Sequence, residues 1–516
     1  MRAEVIRIYK SVHTWTGIVA GFMLFIAFYA GALTMFEVPL NRWAAQEQRP
    51  AMAPLAQSEK LIADTLAARP DARKSFTLHL NDEEHIPGRI TWSKGRGDKS
   101  PWSADYAADG SLRVERNTPS GMAQLIDHVH RTGGLPGDGE VTELIMGVVS
   151  TLYVVALVSG LIILLPSLSK DFFALRVGKN LKRMWLDAHN AIGIASLPFH
   201  IVIAVTAVVF AFHDQIYDIQ DTVVYGEKVK AQMAAANAKP KPDRKPAAML
   251  PPDALLAKVR ELSPEFQPTA MQYTAPATAS ATVRIAGEDP RYVLRRDGSI
   301  TLNAITGEVV NQSTFPGNYN AWAAPVAGAF ALHFGTFGGT PIRWTYFLMG
   351  LGGAFLFYSG NLLWIETRRK NARKGGAVEQ SRSTRWLSAA TVGVCLGCVT
   401  ALSLTIAAAR LLPAQGAQLN SWHETVYYGG FFLCVLWAFL RGAPRAGVEL
   451  LWASAASTLL IAAATVWRGF AIGAVDIGAV VMACGFAWMA LAAMRRQRHG
   501  ATDSVWSRKR AAATPA

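Results

Sequence analysis

Two histidines, His189 and His200, lie eleven residues apart in the apolar stretch AHNAIGIASLPFH. A helix turns about 100° per residue, so an unbroken helix would bring the second imidazole within about 20° of the first, roughly 16 Å further along the axis. Ionisable side chains at membrane depth are costly and read as functional by default. Neutral imidazole is a good axial ligand for haem iron. The spacing predicts a helix face on which two haems hang one above the other. The alternative is a pair of packing histidines hydrogen-bonded to their neighbours.

The same residue types recur elsewhere. The chain up to residue 366 reads as two copies of one unit. The first opens with SVHTWTGIVAG and the second with DAHNAIGIAS, so His13 is followed by Gly17 and His189 by Gly193 at the same spacing. A glycine one turn beyond a histidine leaves room for a flat macrocycle or a close helix. Each unit then leaves its apolar span and returns through a histidine-glycine segment, HVHRTGGLPGDG or LHFGTFGGTPIRW. His130 thus matches His333, and Gly133-Gly134 roughly match Gly338-Gly339. Repeats related by an axis along the membrane normal would bring His13 to His189 at one end of the bundle and His130 to His333 at the other. His200, near mid-depth, is the extra ligand. No C-x-x-C-H attachment motif is present, so two non-covalent haem b groups are expected. Arg131 and Arg343 follow the outer histidines and either pair with haem propionates or anchor helix ends. His128 should point elsewhere, His213 should sit at a helix end and His423 in an interfacial aromatic belt. His79, His85 and His499 read as surface residues.

The elements that must position these histidines are membrane helices. The chain has 516 residues, 51% of them hydrophobic, with 15 Trp. Eight apolar stretches are long enough to span: 14–37, 141–166, 187–212, 344–365, 386–412, 424–440, 447–467 and 471–494. The net charge of +14 is not a nucleic-acid signal, because the basic residues sit in short segments that eight spans place on one side. These carry Arg2, Arg7 and Lys10; Lys170, Arg176, Lys179, Lys182 and Arg183; Arg368 to Lys374, Arg382 and Arg385; Arg441 and Arg445; and Arg495 to Arg510. Both termini are then cytoplasmic. The expected division is a first span (1–37), an outer domain (38–140), spans two and three (141–212), a second outer domain (213–343), span four (344–366), a bundle of spans five to eight (386–494) and a basic tail (495–516). Each outer domain reads as small and α+β, with a helical stretch (EKLIADTLAARP, DALLAKVRELSP), alternating strand-like runs and tight turns such as Asp109-Gly110 and Asp297-Gly298. KPKPDRKP at 239–246 reads as a linker. The four cysteines all fall in predicted spans, and Cys395 and Cys398 read as small packing residues. Ala30-Gly31-Ala32 offers a signal-peptide alternative for the first span. No nucleophile triad, Walker loop or dinucleotide fingerprint stands out.

The stretches SVHTWTGIVAGFMLFIAFYAGAL, LDAHNAIGIASLPFH, DALLAKVREL and NAITGEVV, over residues 5–367, resemble the PepSY-associated transmembrane helix proteins. That family includes bacterial inner-membrane ferrisiderophore reductases that bind two haems. The resemblance implies two PepSY-like periplasmic domains on a mainly α-helical polytopic protein. It implies electron transfer to a periplasmic ferric siderophore, with His13, His130, His189 and His333 as the matching histidines. A quinol or a protein donor must supply the electrons, since no flavin or nicotinamide fingerprint is present. Two other readings stand beside it: a membrane-anchored PepSY binding or inhibitory protein without haem, and a transporter.

Overall fold

A computed structural model of the chain describes residues 3–45, 51–82, 86–95, 100–116, 120–137, 140–167, 181–224, 226, 243–292, 298–319, 323–374, 380–412, 416–499 and 503–507. Arg2, His85, Lys170, Arg176, Lys179, Asp297, Arg508, Lys509, Arg510 and the first part of the 239–246 linker lie outside the described residues.

The helices are α1 (Ala3–Thr34), α2 (Glu37–Ala44), α3 (Ser58–Ala68), α4 (Met122–Thr132), α5 (Glu140–Leu164), α6 (Leu181–Ala195), α7 (Leu197–Ala211), α8 (His213–Ile219), α9 (Pro252–Leu262), α10 (Ala323–Phe334), α11 (Gly339–Lys374), α12 (Arg382–Leu411), α13 (Gly416–Arg441), α14 (Ala443–Trp467) and α15 (Ala474–His499). Six of them, α1, α5, α11, α12, α14 and α15, are long and apolar enough to cross a bilayer, which makes the chain a membrane protein. The pair α6–α7 adds a seventh if it is one span. The expected span 424–440 lies within α13, which is not among them. Its first half carries Asn420, Ser421, His423, Glu424 and Thr425, which lower its apolar content.

The straight helix expected over 187–212 is absent. The chain bends by 72° between α6 and α7. Pro198 stands in the first turn of α7, where its missing N–H is harmless, but its ring cannot follow an unbroken helix. His189 and His200 therefore lie on separate helices. α1 runs unbroken through Ala30-Gly31-Ala32 and packs against α4, α5 and α11.

The two polar insertions form one sheet rather than two. Strands β1 (Ser75–His79), β2 (Ile90–Trp92), β3 (Trp102–Tyr106), β4 (Leu112–Arg116), β5 (Gln267–Thr274), β6 (Thr282–Glu288), β7 (Gly298–Asn303) and β8 (Val309–Thr314) are ordered β4-β3-β2-β1-β5-β6-β7-β8. All pairs are antiparallel. The first strand of each repeat meets its counterpart, Ser75 opposite Thr274 through His79 opposite Ala270. An unpaired edge strand is a liability, and this pairing covers two edges at once. At the seam Phe76 stacks on its cross-strand partner Tyr273 at 4.8 Å. α3 and α9 contribute Leu61, Leu66, Leu255 and Val259 to the common core.

Candidate functional site

The structure brings four of the five expected histidines together in two pairs. His13 on α1 faces His189 on α6, with ring centroids 6.3 Å apart and planes at 84°. His130 on α4 faces His333 on α10, again at 6.3 Å, with planes at 40°. These are the pairings that repeat symmetry predicts.

Each imidazole is held by Nδ1. That nitrogen of His13 is 2.8 Å from the carbonyl oxygen of Ala156, and that of His130 is 2.7 Å from the carbonyl oxygen of Ala27. A carbonyl can only accept, so both rings carry their proton on Nδ1. His189 Nδ1 lies 2.9 Å from Ser359 Oγ, and His333 Nδ1 lies 2.7 Å from Thr206 Oγ1. Both hydroxyls donate backwards within their own helices, Ser359 to the Leu356 carbonyl and Thr206 to the Val202 carbonyl. Each therefore accepts from the imidazole. All four rings are left with Nε2 as the free lone pair, the arrangement by which an outer hydrogen bond fixes the tautomer of a metal-binding histidine.

The spacing fits a metal between the rings. A metal–imidazole bond of about 2.0–2.1 Å, plus about 1.1 Å from nitrogen to ring centre, puts the centroids of two imidazoles sharing one ion about 6.3 Å apart. Among the described residues no group of three or more His, Cys, Asp or Glu could hold a bare metal ion. Imidazoles in twos suit an iron whose other four positions belong to a macrocycle.

Glycines shape the surroundings. A Cβ on Gly31 would lie 2.7 Å from His130 Nδ1, and one on Gly160 would lie 2.9 Å from His13 Cε1. Neither ring could stay in place. A Cβ on Gly17 would meet nothing within 4 Å, and one on Gly193 only a Leu356 methyl at 3.8 Å. Open space thus adjoins the pair where the H-x-x-x-G spacing predicts room. Gly133 ends α4 in the left-handed region (φ 59°), three residues after His130. After α10, Gly335 (φ 60°) takes the helix-ending place, and Gly338 and Gly339 (φ 68° and 60°) are left-handed as Gly133 and Gly134 are.

His200 joins neither pair. Its Nδ1 lies 2.6 Å from the Tyr153 hydroxyl, and its buried Nε2 has no partner. It packs among Phe28, Tyr153 and Phe199, and Phe357 completes the cluster against Phe28 and Tyr153. Arg131 is committed to Asp127 at 3.0 Å and Glu143 at 3.3 Å, which leaves its guanidinium engaged with protein carboxylates. Arg343 is exposed in the first turns of α11. His213 bonds the Phe210 carbonyl and pairs with Asp214. His423 is 1% exposed, so it is enclosed by protein.

Sequence reasoning missed the partners of the rings. Ser359 and Thr206 are polar residues inside apolar spans and carried a signal. The carbonyls of Ala27 and Ala156 carried none, since any residue supplies one.

No curated protein matches the chain. The signature of the PepSY-associated TM region matches residues 10–367, the stretch that contains both histidine pairs and the sheet, and the chain belongs to that family.

Proposed function

We propose that the protein is a di-haem reductase of the bacterial inner membrane, passing electrons to a ferric siderophore on the side of the sheet domain. The observation that carries this reading is the 6.3 Å centroid spacing found twice, in two pairs related by the internal repeat. His13 and His189 would hold one haem b, and His130 and His333 the other. When bound, each haem supplies a one-electron ferric–ferrous couple tuned by its axial ligands and burial.

The chain's own residues prepare that role. Ala156, Ser359, Ala27 and Thr206 hold the four rings by Nδ1, which leaves each Nε2 lone pair for a metal. His200, with Nδ1 engaged and Nε2 free, is a further imidazole held ready at mid-depth. Phe28, Tyr153, Phe199 and Phe357 keep water out around it. The basic residues at the end of α11, the start of α12 and the end of α15 support, by the positive-inside rule, a reading in which these helix ends are cytoplasmic and the sheet periplasmic. Ferrous iron is bound far more weakly than ferric iron by a siderophore, so one electron releases the metal. Electrons come from a quinol or from a separate protein donor.

The test is the purified full-length protein. Pyridine haemochrome quantification should give two haems per chain, and a reduced-minus-oxidised spectrum should show b-type bands. Protein that purifies colourless from haem-replete cells overturns the reading.

A further inference from the structure

His423 is buried at 1% exposure, and among the described residues neither of its ring nitrogens has a hydrogen-bond partner. One turn further along α13, Tyr427 is fully buried, and among the described residues no nitrogen or oxygen is hydrogen-bonded to its hydroxyl. Its polar neighbour is the Cys398 thiol, a weak hydrogen-bonding group. Residues four apart share a helix face, so two imidazole nitrogens without partners and a phenol met by a thiol line one side of α13. Buried polar groups are almost always satisfied, and each exception needs an explanation.

The place in the fold narrows that explanation. α13 runs beside α4: the Gly121 N–H donates to Asn420 Oδ1, and Tyr428 donates to the Leu135 carbonyl. A Cβ on Gly134 would lie 3.4 Å from the Tyr427 hydroxyl. Gly134 is four residues beyond His130. These groups therefore adjoin α4, the helix that carries His130 of the outer pair. Tyr428 and Phe431 ring Tyr427 at 4.9 and 6.1 Å, which makes the surroundings aromatic. A ligand on this side of the helix would hydrogen-bond to an imidazole and a phenol and tolerate an aromatic wall.

We propose that His423 and Tyr427 form the binding site for the head group of a membrane quinol, the electron donor to the outer histidine pair. The proposal rests on the di-haem reading and names its donor. Oxidation of one quinol to quinone breaks two O–H bonds. His423 takes the first proton at a ring nitrogen and hands it to water, and then takes the second by the same route. The two electrons go singly to two ferric haem sites. A quinol yields two electrons and a ferric chelate takes one, so the second pair stores the electron that the first delivery leaves over.

The experiment is equilibrium binding of a short-chain ubiquinone to the full-length protein in detergent, read as quenching of tryptophan fluorescence. The wild type should bind saturably, one per chain. Tyr427→Phe should lose about tenfold in affinity, the loss of one good hydrogen bond, and His423→Leu at least as much. His423→Gln, which keeps a donor and an acceptor, should restore part of it and guards against misfolding. The His130→Ala/His333→Ala double variant should still bind. Absence of saturable binding, or binding untouched by both His423→Leu and Tyr427→Phe, overturns the proposal and leaves ordered water as the partner of these groups. Quinone binding to colourless protein would sink the haem reading while the site stood. Haem-loaded protein without quinone binding would sink the site alone.

Discussion

The four paired imidazoles differ in what holds them, and the difference follows the repeat. His13 and His130, from the first unit, donate to backbone carbonyls, while His189 and His333, from the second, donate to hydroxyls. A hydroxyl can be removed without moving the chain. Ser359→Ala and Thr206→Val should keep the fold but free one ring each, and loss of such an outer partner typically costs about 10–100-fold in metal-site affinity. The check is the rate at which haem leaves each variant for an excess of acceptor apoprotein; rates equal to wild type in both would show that the hydroxyls do not orient the rings. The pairing itself makes a sharper prediction. His13→Ala and His189→Ala should each remove the same haem, leaving one per chain by pyridine haemochrome, and the double variant should lose no more than either. Gly160→Ala should damage that same haem, because its Cβ would sit 2.9 Å from the His13 ring. His423→Ala should leave both haems. Much of this was legible in the sequence: the histidines and their repeat order give the pairs. Gly31 and Gly160 were not, because a glycine that makes room for a side chain on another helix leaves no local pattern.

At the level of elements, the surprises come from long-range contacts and from one proline. Pro198 ends the idea of a single straight helix, so the eleven-residue spacing of His189 and His200 no longer places them on one face. The sheet seam joins strands nearly two hundred residues apart, which alternation of apolar and polar residues within each strand cannot reveal. Two polar clusters anchor the elements. Arg69 lies 3.7 Å over the Trp102 ring and holds Asp71 through two hydrogen bonds, at 3.0 and 2.9 Å. The Arg69 hydrogen bonds first, then the Trp92 N–H, pull the Asp71 carboxyl from 3.8 down to about 2. A carboxyl depressed in the folded state stabilises above its unfolded value and loses that contribution as pH falls through the folded one. The sheet domain should therefore weaken between about pH 4 and pH 2, and Asp71→Asn should flatten that acid limb in a circular-dichroism titration. The effect is modest because both side chains are partly exposed. The second cluster ties α2 to the C-terminal helices. Buried Asp476 accepts from Trp43, Thr465 and the Gly473 N–H, while buried Arg410 donates to the Trp43 carbonyl and to Thr465. Asp476→Ala would remove the carboxylate that accepts from the buried Trp43 N–H and the Gly473 N–H, at a cost of about 1–3 kcal/mol. A lowered thermal midpoint in detergent checks it, and an unchanged one would mean that water takes over the carboxylate's place.

For the whole molecule, the internal repeat does two jobs at once. It places one histidine pair at each end of the α1, α5, α6–α7 and α11 group, and it zips the two polar insertions into one sheet. Both follow from one approximate two-fold relation, since β1 meets β5 as His13 meets His189 and His130 meets His333. The chain leaves the sheet after β4 into α4 and after β8 into α10, the helices that carry His130 and His333. If electrons leave there, protein reduced chemically in liposomes should lose its electrons to a membrane-impermeant ferric chelate added on the sheet side. The same chelate trapped on the basic-loop side should take none. His130→Ala or His333→Ala should slow that oxidation while the His13–His189 haem stays reducible by dithionite. Oxidation from the basic-loop side alone, in vesicles of known orientation, would reverse the direction and make the sheet domain a docking surface for a donor rather than for the chelate. Oxidation unchanged in both variants would mean that electrons leave without passing the outer pair. The slowing should exceed any change in chelate binding, because the rings lie among apolar helices and not on the sheet surface, where a chelate would rest.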